Sequence, residues 1–95
     1  MSYRLTCYCS ACNSPPGSTQ TASGIPATEG VTVAVHPSKY QRNKEIYIDG
    51  VGSRRIHDKH GNSDANVIDI YVGNRSHCNC SSHPLSGKRV NVSGL

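Results

Sequence analysis

A mainly β single domain is what this sequence predicts, and three observations predict it. The chain has 95 residues, enough for one domain and too few for two. Nine Gly and five Pro, with frequent Ser and Asn, mark many turns. No long run of apolar residues falls at helical spacing, and the apolar residues come instead in short alternating runs.

The elements follow in order. A first strand is expected over 3–8, after which 9–30 is rich in Ser, Thr, Pro and Gly and reads as a long surface excursion. Loops of that length in a compact domain usually carry function. Val31, Val33 and Val35 alternate with small residues until Pro37 ends the run, and 45–48 forms a second β-rich segment. Asp49-Gly50 is a turn pair. A return strand is expected over 53–57, a polar loop over 59–66, the most strand-like run over 67–72, and a closing strand over 89–92. No internal repeat and no domain linker interrupts this order.

Composition bounds both core and partners. A domain this small buries only about 60–65% of its unfolded surface. With no Phe, no Trp and 35% apolar residues, the core must be thin and built from Val, Ile, Leu, Ala and Tyr. A metal, a crosslink or a partner would offset that. The net charge of +4 is spread over Arg42 and Lys44, Arg54 and Arg55, Lys88 and Arg89. Nucleic acid calls for a basic stripe with aromatics, which this chain lacks; an anionic polymer would suit its mild charge. Residues 1–6 lack the apolar stretch of a signal peptide, and no run approaches the roughly 20 apolar residues of a membrane span. Synthesis as a soluble chain in the cytoplasm is expected. There, an odd count of five cysteines points to metal ligation or thiols before disulfides.

One residue stands out in the strand 67–72. Alternation places Ile68, Ile70 and Val72 on one face and Val67, Asp69 and Tyr71 on the other. If the isoleucines face the core, Asp69 faces out. It is then either a carboxylate held rigidly beside an aromatic ring, ready to act on a ligand, or an ordinary surface aspartate.

Read together, the segments resemble a known family. Tyr8-Cys9-Ser10-Ala11-Cys12 resembles its Tyr-Cys start and cysteine-rich loop, and Thr21-Ala22-Ser23-Gly24 its Thr-Ala-Ser-Gly. Gly30, Val33, Ala34 and Pro37 match a Gly-x-x-Val-Ala-x-x-Pro stretch, and Tyr47, Ile48, Gly50 and Gly52 a strand and turn. The most specific block pairs Asp58-Lys59-His60-Gly61 with Asn66-Val67-Ile68-Asp69-Ile70-Tyr71 at the family's spacing. The order is similar to that of the 3D domain, named for three aspartates, of lytic transglycosylases and of Gram-positive and phage cell-wall proteins. The resemblance implies a small double-psi-like β-barrel, six- or seven-stranded, with Asp58 and Asp69 close together in one groove.

It also implies a chemistry. A lytic transglycosylase needs one acid: Asp69 would protonate the leaving glycosidic oxygen, then take a proton from the sugar's C6 hydroxyl. That hydroxyl closes on C1 and leaves a 1,6-anhydromuramic end. Such an acid needs a raised pKa, which burial and a neighbouring anion, here Asp58, both supply. Asn66 and Thr21 are candidate hydrogen-bonding groups for the glycan, with turn capping as the alternative role. Tyr71 is a candidate surface for a sugar ring, with core packing as its alternative. The chain departs from the family at His60 and Ala65, where glycines stand, and at His36, where an aspartate often stands. It also has no acid after residue 72, where the family carries another. Asp64 is the nearest substitute.

The cysteines fall in two clusters, Cys7, Cys9 and Cys12, then Cys78 and Cys80, with His77 and His83 alongside. Zinc takes four such ligands, and Cys9, Cys12, Cys78 and Cys80 are the preferred set for a structural ion. Disulfides and buried thiols are the other readings, and a nucleophilic cysteine paired with a histidine is a further one. No cofactor is expected for catalysis. The resemblance therefore implies a peptidoglycan-cleaving lytic transglycosylase, a phage lysin or tail-associated protein that acts at the wall after release. The alternative is a non-catalytic glycan-binding or structural barrel in a phage particle. Expected partners are peptidoglycan strands or phage structural proteins, with no nucleic acid and no membrane span.

Overall fold

The computed structural model describes residues 2–12, 18–73 and 80–95. Six strands, β1 (Ser2–Tyr8), β2 (Thr32–Val35), β3 (Glu45–Ile48), β4 (Gly52–Lys59), β5 (Val67–Tyr71) and β6 (Arg89–Ser93), close into one barrel. Their order around the wall is β1-β5-β2-β4-β3-β6. Single 3-10 turns occupy Ser10–Cys12, Pro37–Lys39 and Cys80–Ser82, and no described residue is α-helical. The mainly β expectation holds, and the closed six-stranded wall is consistent with a small double-psi-like barrel. Closure leaves no strand edge exposed.

Two pairs run parallel, β1 with β5 and β2 with β4, and the other four contacts are antiparallel. Parallel neighbours need a long connection: β3 lies between β2 and β4 in the chain, and β2, β3 and β4 lie between β1 and β5. Part of the loop after β1 packs back on the barrel. Inside lie Tyr3 and Leu5 of β1, Val33 and Val35 of β2, Ile46 and Ile48 of β3, Ile56 of β4, Ile68 and Ile70 of β5 and Val92 of β6. Each large aliphatic side chain buried there contributes about 1.5–3 kcal/mol. Outside, Tyr8, Ala34 and Tyr71 form a second buried cluster under Cys12 and Ala27. The outer face of the β1-β5-β2 wall is thus covered around Tyr8, Ala34 and Tyr71, while Thr6 and Asp69 on it stay partly exposed. By contrast β3 alternates exposed Glu45 and Tyr47 with buried Ile46 and Ile48.

The expected turn at Asp49-Gly50 is present: Gly50 has φ 77° and the Val51 N–H donates to Ile48 O at 3.0 Å. Gly73, just after β5, has φ 102°, and a Cβ there would lie 2.8 Å from Glu29 Oε1. Only glycine satisfies both demands.

The return strand runs longer than the expected 53–57, because Asp58 and Lys59 pair with Ala34 and Val35. The register slips between Val33, opposite Ile56, and Ala34, opposite Asp58, so His57 is an extra residue. In regular alternation Asp58 would share Ile56's inward face. The bulge instead turns Asp58 to the outer face beside Ala34.

Candidate carboxylate site and cysteine cluster

Three strands bring the two aspartates together. Ala34 of β2 pairs with Asp58 of β4 on one side and Asp69 of β5 on the other, and Asp69 pairs with Thr6 of β1. Two strand spacings put the aspartate Cα atoms about 10 Å apart. Between them Ala34 is only 3% exposed, packed with Tyr8 and Tyr71.

Asp69 faces outward, as its strand's alternation predicts, and is only partly exposed. Its Oδ1 accepts the Thr6 hydroxyl at 2.9 Å. Its pKa is raised, chiefly by burial; the Thr6 bond and nearby His60 pull it down, and the charge of Asp58 adds to the rise. Asp58 Oδ1 accepts from the backbone N–H groups of Ala22, at 3.0 Å, and Lys59, at 2.9 Å. The first of these ties the long loop to β4, aided by Ser23 N–H to His57 O at 3.0 Å.

Tyr8 reaches the same patch from β1. Its ring packs edge-on against Tyr71, with centroids 5.2 Å apart and planes at 64°. Its hydroxyl is buried without a hydrogen-bond partner among the described residues. Burial, then Asp58, Asp69 and Tyr71, hold its pKa far above the ordinary phenol value, so the proton stays on.

The other candidates separate. Tyr71 is only 2% exposed; it is a packing residue, which withdraws it as a surface for a sugar ring. The Thr21 hydroxyl donates to Ile25 O at 2.6 Å and contacts Ser23 Oγ at 2.8 Å, so it caps its own loop. Thr21 also lines, with Thr19, Gln20, Gly24 and Pro26, a pocket of about 240 Å³. Neither aspartate lines that pocket. Asn66 is exposed; its N–H donates to Asp64 Oδ1 at 2.8 Å, and its side chain has no bond to either carboxylate among the described residues. Asp64 is exposed and serves this turn.

His60 lies near enough to Asp69 to act on its charge. Its Nε2–H donates to Val67 O at 2.7 Å, its Nδ1 accepts from Asn62 N–H at 3.2 Å, and its ring meets His36 edge-on at 6.0 Å.

His57, which sequence reasoning passed over, is buried by the bulge. Its Nε2–H donates to Asn43 Oδ1 at 3.0 Å and its Nδ1 accepts from the Thr32 hydroxyl at 2.9 Å, which itself accepts from Thr28 N–H. Burial, with Arg55 and Arg42, lowers its pKa from 6.5. The unfolded chain therefore binds this proton more readily. His57's contribution to stability is complete above about pH 6.5 and is lost as pH falls toward the lowered value. In thermal melts from about pH 7.5 down to pH 5 the wild type should lose Tm relative to His57→Gln, a comparison in which the opposite pull of Asp69, common to both, cancels.

At the far end of β1 the sulfurs gather. Cys9 Sγ lies 3.5 Å from Cys12 Sγ, which lies 3.6 Å from Cys80 Sγ, and all three atoms fall within 4.8 Å of one another. A zinc tetrahedron with Zn–S bonds of about 2.3 Å has sulfur–sulfur edges of about 3.8 Å. Three sulfurs thus stand at the spacing of a metal site. Cys12 carries a disulfide in this structure, and its distances to Cys9 and Cys80 are too long for that bond. Cys78 and His77, named from the sequence, lie outside the described residues.

Among the described residues no helix is long and apolar enough to cross a membrane. No protein-family model matches the chain, and no curated protein matches it. The class that fold and site define is a small closed β-barrel bearing an outward carboxylate pair and a cysteine cluster able to hold a metal.

Proposed function

We propose that this barrel is a peptidoglycan-cleaving lytic transglycosylase, of the phage lysin or tail-associated kind. One observation carries the reading: Asp58 and Asp69 flank Ala34 in register, with Asp69 desolvated and its pKa raised. A carboxyl that keeps its proton closer to neutral pH can protonate a glycosidic oxygen. Asp69 is that acid. It gives its proton to the leaving oxygen and, as a carboxylate, takes one from the C6 hydroxyl as that oxygen closes on C1. Asp58 tunes and positions it, and Thr6 orients its Oδ1.

The cysteine cluster is a structural zinc site in the same proposal, with Cys9, Cys12 and Cys80 as ligands and Cys78 as the fourth. It requires Cys12 as a thiolate; an oxidised Cys12 offers no ligand. The ion would tie the loop after β1 to the segment before β6 and so offset the thin core.

A second reading, a non-catalytic glycan-binding or structural barrel, is favoured by the lack of any acid from residue 73 onward. Mass spectrometry of purified peptidoglycan after incubation separates the two. Anhydro-ended fragments are expected from the wild type, with Asp58→Asn reducing their yield less than Asp69→Asn does. Release of no fragments over a broad pH range would leave the second reading in place.

A further inference from the structure

The outer face of the β1-β5-β2 wall contains a buried donor that meets no acceptor among the described residues. Tyr8 is only 7% exposed, and its hydroxyl has no hydrogen-bond partner there. Native folds rarely leave such a group unmet, and the exceptions ask for a reason. Complementary groups lie on the same patch. Both donors to Asp58 go to Oδ1, so among the described residues none reaches its Oδ2. Asp69 receives Thr6 at Oδ1 and is likewise open at Oδ2. Ala34, in register between the two carboxylates, packs in the same cluster as Tyr8. Asp58 is the charged group that acts most strongly on the hydroxyl.

Of the two open oxygens, Asp58's is the better match. Asp69 already receives a side-chain hydroxyl from Thr6, whereas Asp58 is held by backbone N–H groups alone. Asp58 also has room to adjust, since its side chain is partly exposed. Solvent competes for its Oδ2. A sugar bound across the carboxylate pair would displace solvent there and leave the Tyr8 hydroxyl as the donor on the same patch.

We propose that Tyr8 is a positioning residue for Asp58: when a sugar binds across the carboxylate pair, the Tyr8 hydroxyl donates to Asp58 Oδ2 and fixes that carboxylate. This rests on the glycan-cleaving reading above and extends it to a residue outside the aspartate pair. With three donors, Asp58 is an acceptor only, and the proton used in the chemistry belongs to Asp69. Tyr8 itself touches no substrate, because Cys12 and Ala27 cover its cluster.

Tyr8→Phe removes the oxygen and keeps the ring. No hydrogen bond is lost in the sugar-free protein, so its Tm should equal or exceed that of the wild type. With peptidoglycan fragments, kcat should fall roughly tenfold or more with KM little changed. Tyr8→Phe should add little to Asp58→Asn, because coupled residues are not additive. The Asp58 ¹³Cγ resonance should move on adding fragments to wild type and stay put in Tyr8→Phe, while that of Asp69 moves in both. A lower Tm, or effects of Tyr8→Phe and Asp58→Asn that multiply independently, would assign Tyr8 a merely structural role and overturn the proposal. A wild type that binds fragments with the same Asp58 response as Tyr8→Phe overturns it alone. A wild type that neither binds nor cleaves glycan overturns it together with the function on which it rests.

Discussion

Asp69→Asn should abolish wall lysis and, in the same protein, raise the melting temperature. The amide keeps the shape of the carboxyl and can still accept the Thr6 hydroxyl, but it cannot deliver and recover a proton. General acid–base catalysis of this kind is worth about 10²–10⁴-fold, so turbidity clearance of purified walls should fall to background. The stability gain follows from linkage. The folded state holds the Asp69 proton more tightly than the unfolded chain, whose carboxyl has the ordinary value of 3.8. The corresponding stability is complete below that value and is lost as pH rises through the raised one. At neutral pH the ionised carboxylate therefore opposes folding, and a neutral amide relieves it. Each kcal/mol corresponds to about 4–8 °C in a domain this small, so the gain should be visible in a thermal melt. An Asn variant that still lyses walls would remove Asp69 from the chemistry; one that melts lower would make its carboxylate structural.

Removing zinc should have the largest effect on stability. Protein purified under reducing conditions should contain one zinc per chain, and chelation should lower its Tm sharply while a reductant alone does little. Structural zinc contributes its binding energy to folding, on the order of 10 kcal/mol in small zinc-folded peptides, comparable with a small domain's whole stability. Cys9→Ser and Cys80→Ser should reproduce the chelated state, since each removes a sulfur at the edge of the cluster. Elemental analysis with a thiol count decides the matter. Traces of zinc only, with two or four fewer thiols than the five encoded, would mean that disulfides hold these loops.

Much of the barrel was legible because its strands alternate. Alternation gives 45–48 its observed limits, and the expected 3–8, 67–72 and 89–92 differ from the observed strands by a residue at one end. Ile68 and Ile70 on the core face require Asp69 on the other, so that aspartate's outward direction was also readable. The cysteine grouping was visible in part, since Cys9 and Cys12 are neighbours in sequence. Their meeting with Cys80 depends on the closing segment passing the end of β1.

Tyr71 shows where alternation runs out. It gives the face of a side chain but not what covers that face, and here Tyr8, Ala34 and the long loop bury the ring. Thr21 fails for a related reason: a hydroxyl in a Ser- and Gly-rich loop caps its own turn as readily as it meets a ligand.

What the sequence by itself determined is a small, mainly β domain and the outward direction of Asp69, because the side-chain period of a strand is two and needs no partner to be read. What only the tertiary structure decided is Asp58. Period two, counted from inward Ile56, would bury it; the extra residue His57 opposite the Val33–Ala34 step turns it outward and into line with Asp69. A bulge is a mismatch between two strands, so it exists only once β2 and β4 have paired. For the same reason the site's two carboxylates, read as letters, are eleven positions apart along the chain, and become neighbours only because β2 enters the wall between them.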